Sequence, residues 1–383
     1  MNLKPISLCA ILIFSLMVVP VFGSFSNTRF IREADNKLDI SLKKDITQSI
    51  RNGLLFLKKN QEADGSWQHY PAITALALSS FLRAPHDFSS SDTFINKGFD
   101  FLVSLKQQDG GIYVDENANY NSSIVLMAFK DAQNLKYQEI ITDLEKFLMK
   151  LQFSEINGYT KDSLCYGGVG YGFKERADLS NVQWSLEALY EKTKKEIEIS
   201  RDEQEKKLMA EKSQYIQRTL VFLSRCQNFK AGNPESYSSD DGGFMYGPGV
   251  SKAGGQKSYG SMTYAGMKSM IHANVQKDDP RVQAAYHWIE KNYSLEENPG
   301  MGAQGLFYYY HTLAKSLQSY GDEILTDDKG KKHDWKEELA GKLISLQKTD
   351  GSWVNTLHSR WMEDNAVLVT CYTLLALEEL LKD

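Results

Sequence analysis

Cysteine is scarce in this chain, with four in 383 residues. Cys9, Cys165, Cys226 and Cys371 are too few and too scattered for a disulfide framework, and no pair has the spacing of a zinc site. Three buried thiols beyond Cys9 are the expectation, with one bridge and one free thiol as the alternative. Neither sign of charge dominates: 44 Lys and Arg face 49 Asp and Glu, a net charge of −5. No general affinity for nucleic acid or anionic membrane follows from that balance. A phosphate-cradling GxxxxGK loop, a nicotinamide fingerprint and a His-Glu-x-x-His pair are all missing. Gly167-Gly-Val-Gly170 is glycine-rich but lacks the strand-then-helix context of a dinucleotide site. Sustained strand-type alternation is absent too. What is abundant is aromatic: 20 Tyr, 18 Phe and 6 Trp make 11% of the chain. That is enough to line a cavity as well as to pack a core.

The one long apolar run is N-terminal. Lys4 supplies a positive start, Ile6 to Phe22 is nearly all apolar, and Pro20 breaks the run. The pattern predicts a secretory signal peptide over residues 1–23, cleaved after Gly23. The expected location is therefore secreted or periplasmic, with no stable membrane span after cleavage. The run is short for a span, and an uncleaved anchor is the alternative. Residues 24–44 read as a polar leader.

From residue 45 a phrase recurs. Gln61-Glu-Ala-Asp-Gly-Ser-Trp67 returns as Gln347-Lys-Thr-Asp-Gly-Ser-Trp353, with a degenerate copy at Gln107-Gln-Asp-Gly-Gly-Ile-Tyr113. Each copy follows an amphipathic helical pattern and precedes a more apolar one. Leu, Ile and Phe recur at i, i+3, i+4 and i+7 in segments that end in or near a glutamine or asparagine: 46–61, 94–107, 140–152, 215–227, 281–292 and 335–347. The second members, 72–82, 121–132, 181–190, 261–272, 305–320 and 365–381, are apolar on most sides. Helices of that kind are buried on most sides. Six such pairs predict an all-α (α/α)6 barrel, a toroid of six hairpins with amphipathic helices outside and apolar helices inside. The charged stretch 191–212 reads as a solvated helical insertion. The Gly- and Ser-rich stretch 228–257 reads as a long loop over one end.

Within the phrase, Gly supplies the positive φ that ends a helix, Asp caps nearby amides, and Trp stacks over the turn. Gln-x-Gly-x-Trp repeats between paired helices resemble the terpenoid cyclase and protein prenyltransferase superfamily, of the squalene–hopene cyclase type. The resemblance covers roughly Asp45 to Asp383 and implies the αα toroid. It does not by itself give the activity. Prenyltransferases of this superfamily hold a catalytic zinc with an Asp-x-Cys pair and a distant His. Those positions fall here on Lys257, Tyr259 and Val369, so zinc-dependent prenylation is rejected, and neither metal nor cofactor is expected. Cyclases of the superfamily protonate an alkene with an Asp-x-Asp-Asp-Thr-Ala motif. Its nearest match is Trp361-Met-Glu363-Asp364-Asn365-Ala366, which loses the first Asp and turns the central acid into Glu363.

The resemblance implies Glu363 as proton donor with Asp364 as its partner. The opposing reading is that Asp364 and Asn365 cap the last inner helix. His311, in the unusual stretch Gly300 to His311, is a candidate acid or base, or a buried hydrogen-bonded histidine. Asp241, in Asp240-Asp241-Gly-Gly-Phe244, is a further candidate acid or a turn cap. Tyr70, Tyr166, Trp184, Tyr259, Tyr264, Tyr308 and Trp361 fall at or near inner-helix starts. They are candidates to stabilise a carbocation or to stack on sugar rings. The ligand expected is a small hydrophobic isoprenoid or a glycan. A terpenoid cyclase, a glycoside hydrolase or polysaccharide lyase on the same barrel, and a non-catalytic lipid-, glycan- or protein-binding toroid all remain open at this point. Any ligand should lie between Asp241, Tyr259, His311 and Glu363.

Overall fold

The structure, a computed structural model, describes residues 38–382 apart from 86–87, 173–175, 191–202, 234 and 236. The expected signal peptide, most of the leader and the first part of the charged stretch lie outside the described residues. The first helix begins at Ile40, inside the segment read as leader, where Asp39 accepts the Ser41 amide at 2.7 Å as its cap.

Twelve α-helices among the described residues form six hairpins. The outer members are α1 (Ile40–Lys59), α3 (Thr93–Ser104), α5 (Gln138–Lys150), α7 (Glu203–Cys226), α9 (Pro280–Asn292) and α11 (Trp335–Ser345). The inner members are α2 (Pro71–Arg83), α4 (Ala118–Asp131), α6 (Leu179–Leu189), α8 (Gly260–His272), α10 (Leu306–Tyr320) and α12 (Ala366–Leu380). Each inner helix packs on the next, and α12 packs back on α2, so the inner ring is closed. The two sets differ as their sequences dictate. In α1 a stripe of Ile46, Ile50, Leu54 and Leu57 is buried, whereas in α12 every residue from Val367 to Leu380 is buried. The exception to helix is a two-stranded ribbon, β1 (Ile324–Thr326) with β2 (Lys332–Asp334), which pairs Leu325 with His333 ahead of α11.

The repeat phrase joins one hairpin to the next. The Gln61 amide donates to its own turn at Gly65 O and to Phe94 O at the start of α3, both at 2.8 Å. Gln152 reaches Gly167 O and Tyr215 O of α7, and Gln227 reaches Gly242 O and Arg281 O of α9. Gln347 reaches Gly351 O and Ser49 O of α1, which ties the last hairpin to the first. Gln107 in the degenerate copy bonds only within its own turn, and a Lys106–Asp143 ion pair spans that seam instead. Gly65 and Gly351 have φ near +89°, and a Cβ on either would stand 2.4 Å from a carbonyl of the neighbouring outer helix. Only glycine fits there.

The tryptophans are anchors. Trp67 and Trp353 are fully buried, and each indole N–H donates to the outer-helix carbonyl ten residues back, Leu57 O or Leu343 O, at 2.7 Å. Their own amides donate to Thr74 and Thr370 on the following inner helices. The charged stretch is helical from Glu203, but it is not solvated throughout. Lys212 is buried and pairs with Glu145 at 2.9 Å. Cys226 and Cys371 are buried free thiols, while Cys165 is free and only half-buried.

Trp67→Ala or Trp353→Ala should cost about 3–5 kcal/mol, the range for emptying a large buried aromatic site. Chemical denaturation should show that loss with ligand binding retained. Lost binding at unchanged stability would instead put the tryptophan in a site.

Candidate functional site

The N-terminal ends of the six inner helices converge, and there the ring encloses a cavity of about 240 Å³. Every inner helix contributes to its wall, as do three loops. Seven tyrosines, Tyr70, Tyr120, Tyr171, Tyr246, Tyr259, Tyr308 and Tyr372, line it together with Trp184 and Trp361. Burial pushes the phenols of Tyr120, Tyr259, Tyr308 and Tyr372 far above their ordinary range, the mark of a dry wall. Their hydroxyls pair with one another or with neighbouring polar groups. Tyr120 meets Tyr372 at 3.3 Å, Tyr308 meets Ser180 at 3.4 Å, and Asn117 donates to Tyr70 at 3.1 Å.

Among the described residues, one carboxyl lies in this wall. Glu363 is fully buried, on the loop that runs from Trp353 to α12. Its Oε1 accepts the Tyr308 amide at 2.8 Å and its Oε2 accepts the Asn355 side-chain amide at 2.7 Å. The amides of Leu306 and Phe307 add to this, so the carboxyl sits over the open N-terminus of α10. Burial nevertheless outweighs these donors, and the carboxyl is pushed up to about 7. Asn355 is fixed in turn: its side chain donates to Ala303 O and accepts the amides of Leu357 and His358. The loop reaches this position through Trp361 and Met362, both with φ near +60°, a conformation such residues rarely adopt. Trp361 packs over Gly305, with the Arg360 guanidinium 4.4 Å from its ring.

The expected cluster of Asp241, Tyr259, His311 and Glu363 does not form as one site. Tyr259 and Glu363 share the cavity, with Tyr70, Trp184, Tyr308 and Trp361. His311 lies behind the wall, fully buried against Trp184 and Tyr372, with ring centroids 5.5 and 5.6 Å away. It shares a face of α10 with Tyr308 but stands one turn deeper, below the cavity. Asp241 faces outward beside Trp288, where it accepts the Gly243 amide and the Ser258 hydroxyl. Asp364 is exposed in a shallow surface depression, and it is Asn365 that caps α12. Asp364 is therefore no partner to Glu363. Tyr166 points away to Glu155, and Tyr264 is buried against Tyr309.

The residues not anticipated are Tyr120, Tyr171, Tyr246 and Tyr372. Tyr120 and Tyr372 stand on the lumen face within two turns of an inner-helix start, so helical phase would have found them. Tyr171 and Tyr246 come from loops, where no periodicity points to them. Behind Tyr246 lies a second acid, Asp178. It caps α6 by accepting the Asn181 amide at 2.9 Å, hydrogen-bonds Tyr246, and is pushed up to about 6 by burial.

No family profile matches the chain. A stretch of 72 residues, 18% of the chain, is 36% identical to lanosterol synthase of Pneumocystis carinii, and it spans 10% of that enzyme. Solved structures match over far more of the chain. The type II terpene cyclase MstE of Scytonema, without ligand, is 11% identical and superimposes with a TM-score of 0.51 over 88% of this chain and 98% of its own. A variant of it in complex with geranylgeranyl dihydroxybenzoate, its substrate, is 12% identical with a TM-score of 0.50 over 89% and 98%. A glycosidase in complex with glucose is 11% identical with a TM-score of 0.51 over 90% and 99%. The chain has the terpenoid cyclase-like toroid fold, which glycosidases share. No helix among the described residues is long and apolar enough to cross a membrane.

Because Glu363 holds its proton up to about 7 in the folded protein and releases it near 4.5 when unfolded, its contribution to stability is complete below pH 4.5. It is lost as pH rises to 7, by about 3 kcal/mol. Denaturation of the wild type and of Glu363→Gln across this window should show a decline in the first that is absent in the second. Parallel curves would mean that burial does not raise the Glu363 carboxyl above its unfolded range.

Proposed function

We propose that this toroid binds a small isoprenoid in its aromatic cavity and that Glu363 transfers a proton to it, starting an isomerisation or cyclisation. The observation that carries this reading is the single buried carboxyl in a wall of aromatic rings. A carboxylic acid that keeps its proton near neutrality can serve as a general acid. A group pushed up to about 7 is suited to an oxygen or another basic position better than to an unactivated alkene. Six helix N-termini direct partial positive charge to the same end of the ring, which favours an electron-rich end of the ligand there. The tyrosine and tryptophan faces stabilise positive charge that develops on carbon. In this reading Asn355 and the first turn of α10 are the partners of the acid.

The volume bounds the ligand. At about 240 Å³ the cavity is below the range of about 300–1,000 Å³ usual for drug-sized molecules, so a short isoprenoid fits better than a triterpene. Glycan hydrolysis is less well supported. It calls for two carboxyl groups about 5–9.5 Å apart across the scissile bond, and Asp178 stands behind Tyr246 instead of in the wall. Action outside the cytoplasm is part of the proposal, on the strength of the apolar N-terminal segment.

Titration with ten- and fifteen-carbon isoprenoid alcohols should quench Trp184 and Trp361 fluorescence saturably. Tyr120→Trp, which fills the cavity, should weaken binding by at least about tenfold with folding intact. Saturable binding of glucose oligomers without isoprenoid binding would overturn the ligand class. If the wild type binds but forms no product separable from the substrate by gas chromatography with mass detection, the acid role fails and a binding protein remains. If product forms, Glu363→Gln should lose it.

A further inference from the structure

At the end of the lumen opposite the cavity every inner helix carries charge, and six charged residues, one from each helix, stand near one another. They are Arg83 of α2, Asp131 of α4, Glu187 of α6, Lys268 of α8, Lys315 of α10 and Glu379 of α12. Three members are paired off. Arg83 binds Asp131 at 2.9 Å, and Glu379 binds Lys382 at 2.7 Å. That leaves Glu187 to serve two ammonium groups, Lys268 and Lys315, each in direct contact with one of its oxygens. Lys268 is fully buried and Lys315 nearly so. The triad is therefore one negative charge short.

Glu379, the other carboxylate that Lys315 feels, is bonded to Lys382. The Glu378 carboxyl is pushed well above its ordinary range by burial, and the groups around it are Arg83, Asp131, Lys382 and Glu379. Helix C-termini favour cations in their last turn, but Lys268 and Lys315 stand a turn further in. Buried polar atoms without a partner gather here as well. Gln183 spends its carbonyl on Lys268, at 2.6 Å, and its amide nitrogen has no partner in the protein. Neither ring nitrogen of His311 has a partner, although the ring is fully buried. His311 senses Lys315, Glu187 and Lys268, so it lies just above the triad, while Lys268 reaches to 6.0 Å from the Trp184 ring. An unmet buried donor costs about 1–3 kcal/mol, and several together mark a place where an ion or water completes the set.

We propose that Lys315, Lys268, Gln183 and His311 form a binding site for a small monovalent anion at the end of the lumen opposite the cavity. An anion supplies the missing charge and accepts from donors that have nothing else to meet. Water would satisfy the donors but leave the charge. The site is separate from the aromatic cavity, with Trp184 and Tyr372 standing between them. The partial exposure of Arg83, Asp131 and Glu187 gives an ion its approach from the far face of the ring.

Sodium bromide and sodium gluconate at equal ionic strength test this by thermal unfolding. For the wild type, Tm should rise with the logarithm of bromide concentration and stay flat in gluconate, the signature of a ligand that binds only the folded state. Lys315→Met removes the surplus charge, so it should fold at least as well as the wild type and lose the bromide-specific rise. Identical behaviour of the wild type in both salts would overturn the proposal. So would a bromide-specific rise that persists in Lys315→Met. Should that variant fail to fold, anomalous scattering from bromide-soaked wild-type crystals decides. A peak in contact with the Lys315 ammonium supports the site, and a water or no density at that place overturns it.

Discussion

A glutamine side-chain amide at the foot of an outer helix, shared between two backbone carbonyls, holds neighbouring hairpins in register. One carbonyl belongs to its own turn and the other to the next outer helix. Each such bond is worth only about 1 kcal/mol net, yet its geometry admits a single spacing between hairpins. Four of the six seams use it. The seam made by Gln347 joins α11 to α1 across the whole chain, and the ring closes there. Closure then brings six inner N-termini to one end and six C-termini to the other. The aromatic cavity and the charged ring both follow from that arrangement.

The architecture was legible because two periodicities agree. A 3.6-residue apolar pattern marks each helix, and a repeat of about 45 residues in the early hairpins marks each pair. Closing its own turn is half of the role of each Gln. Its second partner lies in the next hairpin, and no feature within one repeat reveals it. The first turn of α1 is hidden in the sequence because Ser41, Lys43 and Lys44 make it look like the polar leader before it. Lys212 was read as solvated because a run of mixed charge looks alike whether or not one member is covered by a neighbouring helix.

The site was less legible for a different reason. Residues near an inner-helix start include those on the lumen face and those turned between helices, and sequence order does not separate them. On α8 Met262 lines the cavity, whereas Tyr264, two residues on, packs against Tyr309 of α10. Asp364 and Glu363 are adjacent, yet the left-handed turn at Trp361 and Met362 carries one into the wall and leaves the other outside. The charged ring escaped notice because Arg83, Asp131, Glu187, Lys268, Lys315 and Glu379 are spread over nearly 300 residues and each, taken singly, resembles a solvated helix end. Their opposed environments give the lumen a dry aromatic half and an ionic half, joined by Trp184 and His311.

The Ser49–Gln347 seam also bears on how the chain reaches its native state. During synthesis α1 leaves the ribosome first, and the surfaces it covers on α11 and α12 are made last. Until then its stripe of Ile46, Ile50, Leu54 and Leu57 has no native partner on that side. The contact that completes the ring spans 298 residues, and pairings of such separation are slow because loop-closure entropy is met before any contact rewards it. An open arc of hairpins, apolar at both ends, is therefore the species most exposed to self-association during biogenesis. The same arc with its two ends met by those of a second copy would satisfy every seam, so exchange of α1 between chains is the misassembly to which this topology is most prone.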